Sequence, residues 1–305
     1  MATTTTISSS YAGKDAGQYI SLAMKESKTL AALTVMENVK FKSTIRTFAG
    51  SSLIQNESCD FTPTGTLGLG EKVITTKELK LNVELCKQDL LSAWEVEQMG
   101  AGANNRQTPQ FHAFVMSYLA DSIAASTEEN IWAGADALGG QFEGFLTAST
   151  GAFAVDTNVV GVAHSGVLTA ANIVAALGDV VDAAPSEVLG KDDFTIFLNQ
   201  KQYRMYISAM SLLGYIDRHN MSADYTPVFE GISLTVVDGL PADNIVAARK
   251  SNLIYATDLL GDSASLKTLD MSDIDGSDNI RVICKYTAGV QVGYGAEIVH
   301  LVATA

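Results

Sequence analysis

Two segments of alternating apolar and polar residues flank a long polar stretch near the N-terminus, and this arrangement constrains the fold more than any other part of the sequence. Residues 40–48 place Phe41 and Ile45 on one side, and residues 78–85 place leucines and Val83 on one side. That period is typical of strands with one covered face. The polar connection from Ala49 to Glu71 is much longer than the roughly two to five residues of most hairpin loops. We expect it to be either disordered or held by something outside its own chain.

Within this stretch, residues 65–72 read G-T-L-G-L-G-E-K and invite comparison with a phosphate-binding loop. Gly65 and Gly70 have the spacing of G-x-x-x-x-G-K-[ST], but Glu71 stands at the lysine position and Lys72 at the hydroxyl position. A carboxylate there would repel phosphate, and a strand pattern follows where a helix N-terminus should face the anion. The sequence instead indicates a flexible turn ahead of a strand.

The longest helical signal follows Thr108, a natural cap, with Pro109 in the first turn. Apolar residues from Phe111 to Trp132 recur at spacings of three and four, and Gly134 ends the pattern. This predicts a helix of about 25 residues, close to 37 Å long. We assign Glu128 and Glu129 to a solvated face of this helix.

Helices and strands alternate irregularly elsewhere, which favours the α+β class. We expect short helical pieces between Gly17 and Asn38, a strand region from Phe142 to Val162 and a helix capped by Thr169. A buried strand at D-F-T-I-F-L-N, a helix from Gln200 to Leu213 and a strand at I-S-L-T-V-V-D-G-L-P follow. The remaining C-terminal part reads as β-rich.

The charge is unevenly distributed along the chain. The net charge is −14, yet residues 1–86 carry nine Lys/Arg against eight Asp/Glu, while residues 87–305 carry eleven against twenty-six. This balance disfavours direct wrapping of nucleic acid, whose non-specific binding depends on cations. The sequence contains no apolar stretch of membrane-helix length and no secretory signal pattern. Three cysteines without C-x-x-C spacing favour apolar packing over disulfides or zinc.

No motif in the sequence indicates chemistry. The four histidines lack ligand spacing, and the acidic run at 270–278 lacks calcium ligands at the first and last EF-hand positions, so we interpret it as a turn. There is no G-x-S-x-G, and the adjacent Asp192 and Asp193 make poor acid and base partners. We therefore predict no catalytic, cofactor-binding or metal-binding residues and no enzymatic activity.

The order of these features resembles the major capsid proteins of tailed bacteriophages, whose shared architecture, the Johnson fold, is also seen in encapsulins. Residues 71–86, 108–134 and 257–299 look like the descending strand of the family's extended loop, its spine helix and its closing β segment. The resemblance implies an α+β fold with an arm at 1–38, an extended β-hairpin loop at 39–86 and a peripheral domain with the spine helix at 87–165. An α/β axial domain at 166–248 and a β-rich return at 249–305 would complete it.

The resemblance implies a structural subunit that self-assembles into hexamers and pentamers of an icosahedral capsid around double-stranded DNA. The chain would lie in the virion after assembly in the host cytoplasm, without sequence-specific DNA binding, membrane contact or cofactors. A portal and a separate scaffolding protein are implied partners, and a decoration protein is compatible with the family. The alternatives are an encapsulin-like shell around protein cargo and an α+β enzyme of unrecognised type.

The extended loop supplies the predicted contacts between subunits. They are Lys40, Lys42, Arg46, Gly65, Gly68, Gly70, Lys72 and Lys77, with the glycines at or near the loop tip. We also predict that the mildly cationic N-terminal part lies against the acidic body of an adjacent subunit, since complementary fields steer encounter and fix register.

Overall fold

A computed structural model describes residues 28–87 except 58 and 62, residues 109–212, and residues 227–304 except 260, 263 and 264. The described chain forms two compact units. One contains residues 78–87, 109–127 and 259–286, and the other contains residues 28–77, 128–212, 227–258 and 287–304. Residues 1–27 of the predicted arm (1–38) and the Thr108 cap lie outside the described residues.

Strands and helices are mixed along the chain, as the α+β prediction requires. The strands are β1 (Thr34–Met36), β2 (Lys42–Ser51), β3 (Thr66–Thr75), β4 (Lys77–Cys86), β5 (Val160–Ser165), β6 (Phe194–Leu198), β7 (Val228–Phe229), β8 (Ile232–Val236), β9 (Asn244–Arg249), β10 (Leu253–Ala256), β11 (Lys267–Asp270), β12 (Asn279–Val292) and β13 (Val299–Thr304). The α-helices are α1 (Pro109–Ala133), α2 (Ala152–Val155), α3 (Ile173–Asp182), α4 (Ser186–Leu189) and α5 (Gln200–Leu212).

The largest sheet has the strand order β5-β13-β9-β6-β8-β7 and lies within the second of the two units. Every residue of β6 is buried, and its alternate side chains pack with α3 and α5 in one apolar cluster. Burial of this kind stabilises a fold by about 25 cal/mol per Å² of apolar surface. The predicted buried strand, the helix after it and the strand at β8 are all confirmed.

The predicted long helix is confirmed as α1, which begins at Pro109 and runs for 25 residues. Gly134 follows its end, where a β-carbon would collide with the carbonyl oxygen of Phe142. Trp132 in the last turn is fully buried, and its ring centroid lies 5.4 Å from that of Phe197 in β6. The helix thus ends inside an aromatic core. The nearby Phe142 backbone leaves room only for glycine at the position that follows the helix.

Strand β12 pairs antiparallel with β10 over residues 289–292 and with β11 over residues 280–283. Strand β1 pairs in parallel with β10, so residues 34–36 form a strand and the predicted helical piece is confined here to a 3-10 turn at Thr29–Ala32. The acidic run at 270–278 lies between β11 and β12, which confirms a turn between strands. The predicted strand region from Phe142 to Val162 is wrong for most of its length, since it contains α2 and becomes strand only at Val160.

The pairing of the N-terminal strands differs from the sequence prediction. Residues 78–85 do form a strand, β4, but β4 pairs with β12, whereas β2 pairs with β3. The stretch that we interpreted as a flexible turn, G-T-L-G-L-G-E-K, is the first part of β3 after Gly65. Its alternation of leucine with glycine was overlooked because glycine is depleted in strands. The connection between the paired strands is therefore residues 52–65.

Candidate assembly surface

Strands β2 and β3 form a two-stranded antiparallel ribbon. Ten residue pairs join them, from Lys42 opposite Thr75 to Ser51 opposite Thr66. At about 3.4 Å per residue the ribbon is roughly 30 Å long. Within the described part of the chain neither strand pairs with a third. A two-stranded ribbon of this kind is marginally stable alone, so its sequence must be adapted to further contacts.

One face of the ribbon carries large apolar side chains that are exposed to solvent. Directly paired residues share a face, which places Phe48 with its partner Leu69, and Leu67 and Val73 on the same side. All four are exposed, and Lys42 and Arg46 share this face nearer the start of β2. Large exposed apolar patches are typical of interaction sites, so this face is the candidate assembly surface.

The opposite face carries mostly small side chains near the connecting loop and is buried near the other end. Gly68 lies opposite Ala49, and Gly70 lies opposite Thr47, whose hydroxyl oxygen would be 2.6 Å from a β-carbon at position 70. Further along this face, Ile45 and Ile74 pack into a small apolar cluster with Val39 and Ile254. The ribbon therefore has one face that its own chain covers in part and one that it leaves open.

We call residues 52–65 the tip loop. Gly65 has a φ of +84°, a conformation that favours glycine, and a hydrogen bond joins Thr64 to Gln55. Ile54 and Phe61 are 97% and 95% exposed. The single chain does not bury these two side chains. Their burial against a partner would therefore contribute favourable free energy to association.

Two side chains of the same unit, those of Tyr294 and Gln291, hydrogen-bond to the backbone of the ribbon. The hydroxyl of Tyr294 accepts a hydrogen bond from the Phe48 amide at 2.8 Å and donates one to the Phe48 carbonyl at 2.9 Å. The Gln291 side-chain amide donates to the Val73 carbonyl at 3.0 Å. Both contacts satisfy polar groups on the outer edges of the ribbon. They restrict pairing by a foreign strand there.

Lys72 and Lys77, which we predicted as contacts between subunits, lie in ion pairs within the chain. Lys72 pairs with Asp156, and Lys77 pairs with Asp136. Burial alone would raise the pKa of Asp156, but hydrogen bonds from Lys72 and Asn158 hold that pKa below its usual value. A role for these two lysines between subunits stays a prediction. Of the predicted glycines, Gly65 lies in the tip loop and Gly68 and Gly70 lie in β3.

The assignment of Glu128 to a solvated helix face is wrong, although the neighbouring Glu129 is exposed. The Glu128 carboxylate is fully buried and accepts hydrogen bonds from the Thr29 amide at 3.0 Å, from the Thr29 hydroxyl and from the Gly239 amide at 3.4 Å. Burial raises its pKa despite these hydrogen bonds. The spacing of the sequence could have indicated this burial, because Glu128 lies four residues before Trp132 and therefore on the same, apolar face of the helix.

Asp193 and His300, two titratable residues considered for chemistry, form hydrogen bonds within the fold. Asp193 accepts from the Arg249 side chain at 3.0 Å, and this hydrogen bond together with one from Ser251 lowers the pKa of Asp193. His300 lies in β13, within the C-terminal part that the sequence predicts to be β-rich. Its ring nitrogen lies 2.8 Å from the Asn244 side-chain oxygen, and burial lowers its pKa to about 4. No cluster able to hold a metal ion occurs among the described residues, and none of their helices is long and apolar enough to cross a membrane.

No protein-family model and no curated protein matches this sequence. Solved structures match the fold over nearly the whole chain. The capsid of an empty GTA particle covers 95% of this chain and 94% of its own, at 17% identity and a TM-score of 0.61. The capsid of Myoviridae phage XM1 covers 94% of this chain and 95% of its own, at 12% identity and a TM-score of 0.59. The capsid of cyanophage P-SCSP1u covers 94% and 91%, at 13% identity and a TM-score of 0.54. The chain therefore has the phage capsid fold that the order of sequence features predicted.

Proposed function

We propose that this chain, which has the fold of phage capsid proteins, is the structural subunit of an icosahedral capsid that encloses the double-stranded DNA of a tailed phage. The observation that carries the proposal is the ribbon, whose apolar face is exposed on a chain with capsid-like architecture over 95% of its length. The role is structural. Its implied partners are further copies of itself in rings of five and six, a portal and a separate scaffolding protein.

The energetics of the ribbon suit repeated self-association. Full burial of one leucine or phenylalanine side chain contributes roughly 1.5–3 kcal/mol. The four apolar residues on the open face would therefore contribute several kcal/mol at each contact, before the cost of ordering. Contacts between unlike surfaces of identical chains generate rings when the rotation closes. A shell multiplies this modest contact over many copies.

The charge of the chain is compatible with a container for DNA. Tight binding of the enclosed DNA would hinder its packing and release. The net charge of −14 would weaken such binding. We therefore propose that the DNA is retained by enclosure and not by specific contacts. Nucleic acid extracted from purified particles would support the genome as the content, whereas protein cargo would support the encapsulin-like alternative.

Electron microscopy of the purified chain under conditions that favour assembly tests the proposal. We expect closed shells or rings of five and six from the wild type, and loss of both in a Phe48→Ser, Leu69→Ser variant. The matched control is Phe48→Leu with Leu69→Met, which keeps the face apolar and should keep assembly. A wild type that stays monomeric at every concentration, alone and with its scaffolding protein, would overturn the proposal.

A further inference from the structure

A buried cluster in the last turns of α1 contacts the first turn of the described chain. Thr29 begins the 3-10 turn Thr29–Ala32 and is fully buried. Its amide and hydroxyl donate to the Glu128 carboxylate, and its hydroxyl oxygen accepts from the Trp132 indole N–H at 2.9 Å. The Gly239 amide donates to the same carboxylate at 3.4 Å. We call these four residues, Thr29, Glu128, Trp132 and Gly239, the Glu128 clamp.

The carboxylate of the clamp is buried among neutral donors. The three groups that donate to Glu128 are two backbone amides and one hydroxyl, so hydrogen bonds and not an ion pair compensate its charge. Ionisation of a fully buried carboxyl is costly when no cation accompanies it. Burial therefore raises the pKa of Glu128 despite these hydrogen bonds, and the negative charge of Asp238 acts in the same direction. The cluster thus accommodates the neutral carboxyl better than the ionised one.

The charged groups next to the clamp are Asp238 and Lys28, which are partly exposed. Their carboxylate oxygen and ammonium nitrogen lie 3.9 Å apart, so they form a second contact between the first turn and the body of the same unit. Phe145 and Phe197, which pack on the Trp132 ring, carry no charge. Salt screens an exposed ion pair but has much less effect on a buried group. The buried contact should therefore respond to pH, through Glu128.

We propose that the Glu128 clamp is a proton-controlled anchor, which holds residues 28–32 firmly when Glu128 carries a proton and releases them more readily when Glu128 is ionised. The contact survives protonation because a hydroxyl both donates and accepts, so Thr29 can accept from the neutral carboxyl. When the turn opens, water reaches the carboxyl and its pKa returns towards the ordinary value of 4.5. The open form therefore loses its proton at a lower pH than the closed form. Rising pH between these two values favours opening.

Hydrogen exchange of the Thr29 amide in the unassembled chain measures this opening, because the amide donates to Glu128. Exchange is followed between pH 5 and pH 8 and divided by the intrinsic rate at each pH. We expect the protection of this amide to fall as the pH rises, by up to about tenfold per pH unit, and to level off once Glu128 is ionised. Amides of β6 report global unfolding. There the titration of His300 predicts the opposite trend in the lower part of the range.

Three variants identify the titrating group. Glu128→Gln keeps the shape of the side chain and hydrogen-bonding groups for Thr29 but does not titrate, so its Thr29 protection should be equal at pH 5 and pH 8. Glu129→Gln, at the adjacent exposed position, is the matched control and should keep the wild-type pH dependence. Asp238→Asn should move the fall in protection to lower pH, because loss of the Asp238 charge lowers the pKa of Glu128. The Lys28 ammonium, without its partner, would act in the same direction.

Each outcome supports or overturns the clamp independently of the proposed capsid function, since the measurement requires no assembly. Wild-type protection at Thr29 that does not fall between pH 5 and pH 8 would overturn the inference. A pH dependence that persists in Glu128→Gln would also overturn it, because another group would then be responsible. If Glu128→Gln does not fold, Asp238→Asn decides, since an unchanged midpoint would exclude Glu128 as the titrating group.

Discussion

Glu128 joins three parts of one unit through a buried carboxylate. Its replacement by alanine leaves the Thr29 and Gly239 amides without this acceptor, and each buried unsatisfied group costs about 1–3 kcal/mol. We expect Glu128→Ala to lower the free energy of unfolding of the unassembled chain by about 3 kcal/mol in urea denaturation. Glu129→Ala, one exposed position further along α1, is the control. A loss as small as that of the control would contradict the structural role of Glu128.

His300 gives the stability of the fold a pH dependence. Because burial lowers its pKa from 6.5 to about 4, the unfolded chain binds a proton in this interval that the folded chain excludes. The free energy of unfolding should therefore fall as the pH drops from about 7 to 4, by at most about 3 kcal/mol from this group. In urea denaturation at pH 7 and pH 5, we expect His300→Gln to reduce the loss by on the order of 2 kcal/mol. Equal losses in both proteins would contradict this.

The two residues differ in how well the sequence predicted them. The strand position of His300 was predictable, since the segment around it is rich in β-branched residues. The burial of Glu128 was missed because a run of polar residues from Ser126 to Asn130 conceals its position on the apolar face. The Thr29 and Gly239 groups that satisfy its carboxylate are about a hundred residues away in sequence, so no local pattern could reveal them.

The orientation of the ribbon depends on Tyr294, whose hydroxyl contacts both backbone polar groups of Phe48. Tyr294→Phe removes both hydrogen bonds and leaves the ring in place. Each such bond contributes about 1 kcal/mol, so we expect the Phe48 amide to exchange its hydrogen about five- to tenfold faster or more. Exchange in the buried strand β6 serves as the internal control and should not change. Unchanged protection at Phe48 would mean that Tyr294 does not hold the ribbon.

The sequence predicted most elements but mispaired the ribbon. Strands and helices with regular apolar spacing, such as β6 and α5, were found because burial alone determines their pattern. Strand β3 was taken for a turn because Gly68 and Gly70 keep one of its faces smooth and its leucines face solvent. A strand whose apolar side chains face solvent in the single chain does not show the alternation that a covered face produces.

The fold as a whole was predictable from the order of features, although each stretch by itself was weak. A two-stranded ribbon with a long connecting loop, a 25-residue helix and a β-rich C-terminal part occur in this order in a chain with the phage capsid fold. The limits of the predicted domains stay predictions. The predicted domains are consecutive segments of the chain, whereas each compact unit combines several segments, and α1, β4 and β12 each contribute residues to both units.

Salt should act on assembly through the exposed charges and not through the apolar face of the ribbon, so its effect tests the charge arrangement. Raising sodium chloride from 0.1 M to 1 M shortens the Debye length from about 10 Å to 3 Å and weakens steering by exposed charges. Apolar contacts of the ribbon face are not screened in this way. We expect the assembly rate of the wild type, followed by light scattering, to fall over this range. A Lys42→Gln, Arg46→Gln variant should assemble more slowly at low salt and lose less of its rate as salt rises, because it has fewer exposed cations to screen. A wild-type rate that does not change between the two concentrations would exclude electrostatic steering between copies and leave the apolar face as the source of association.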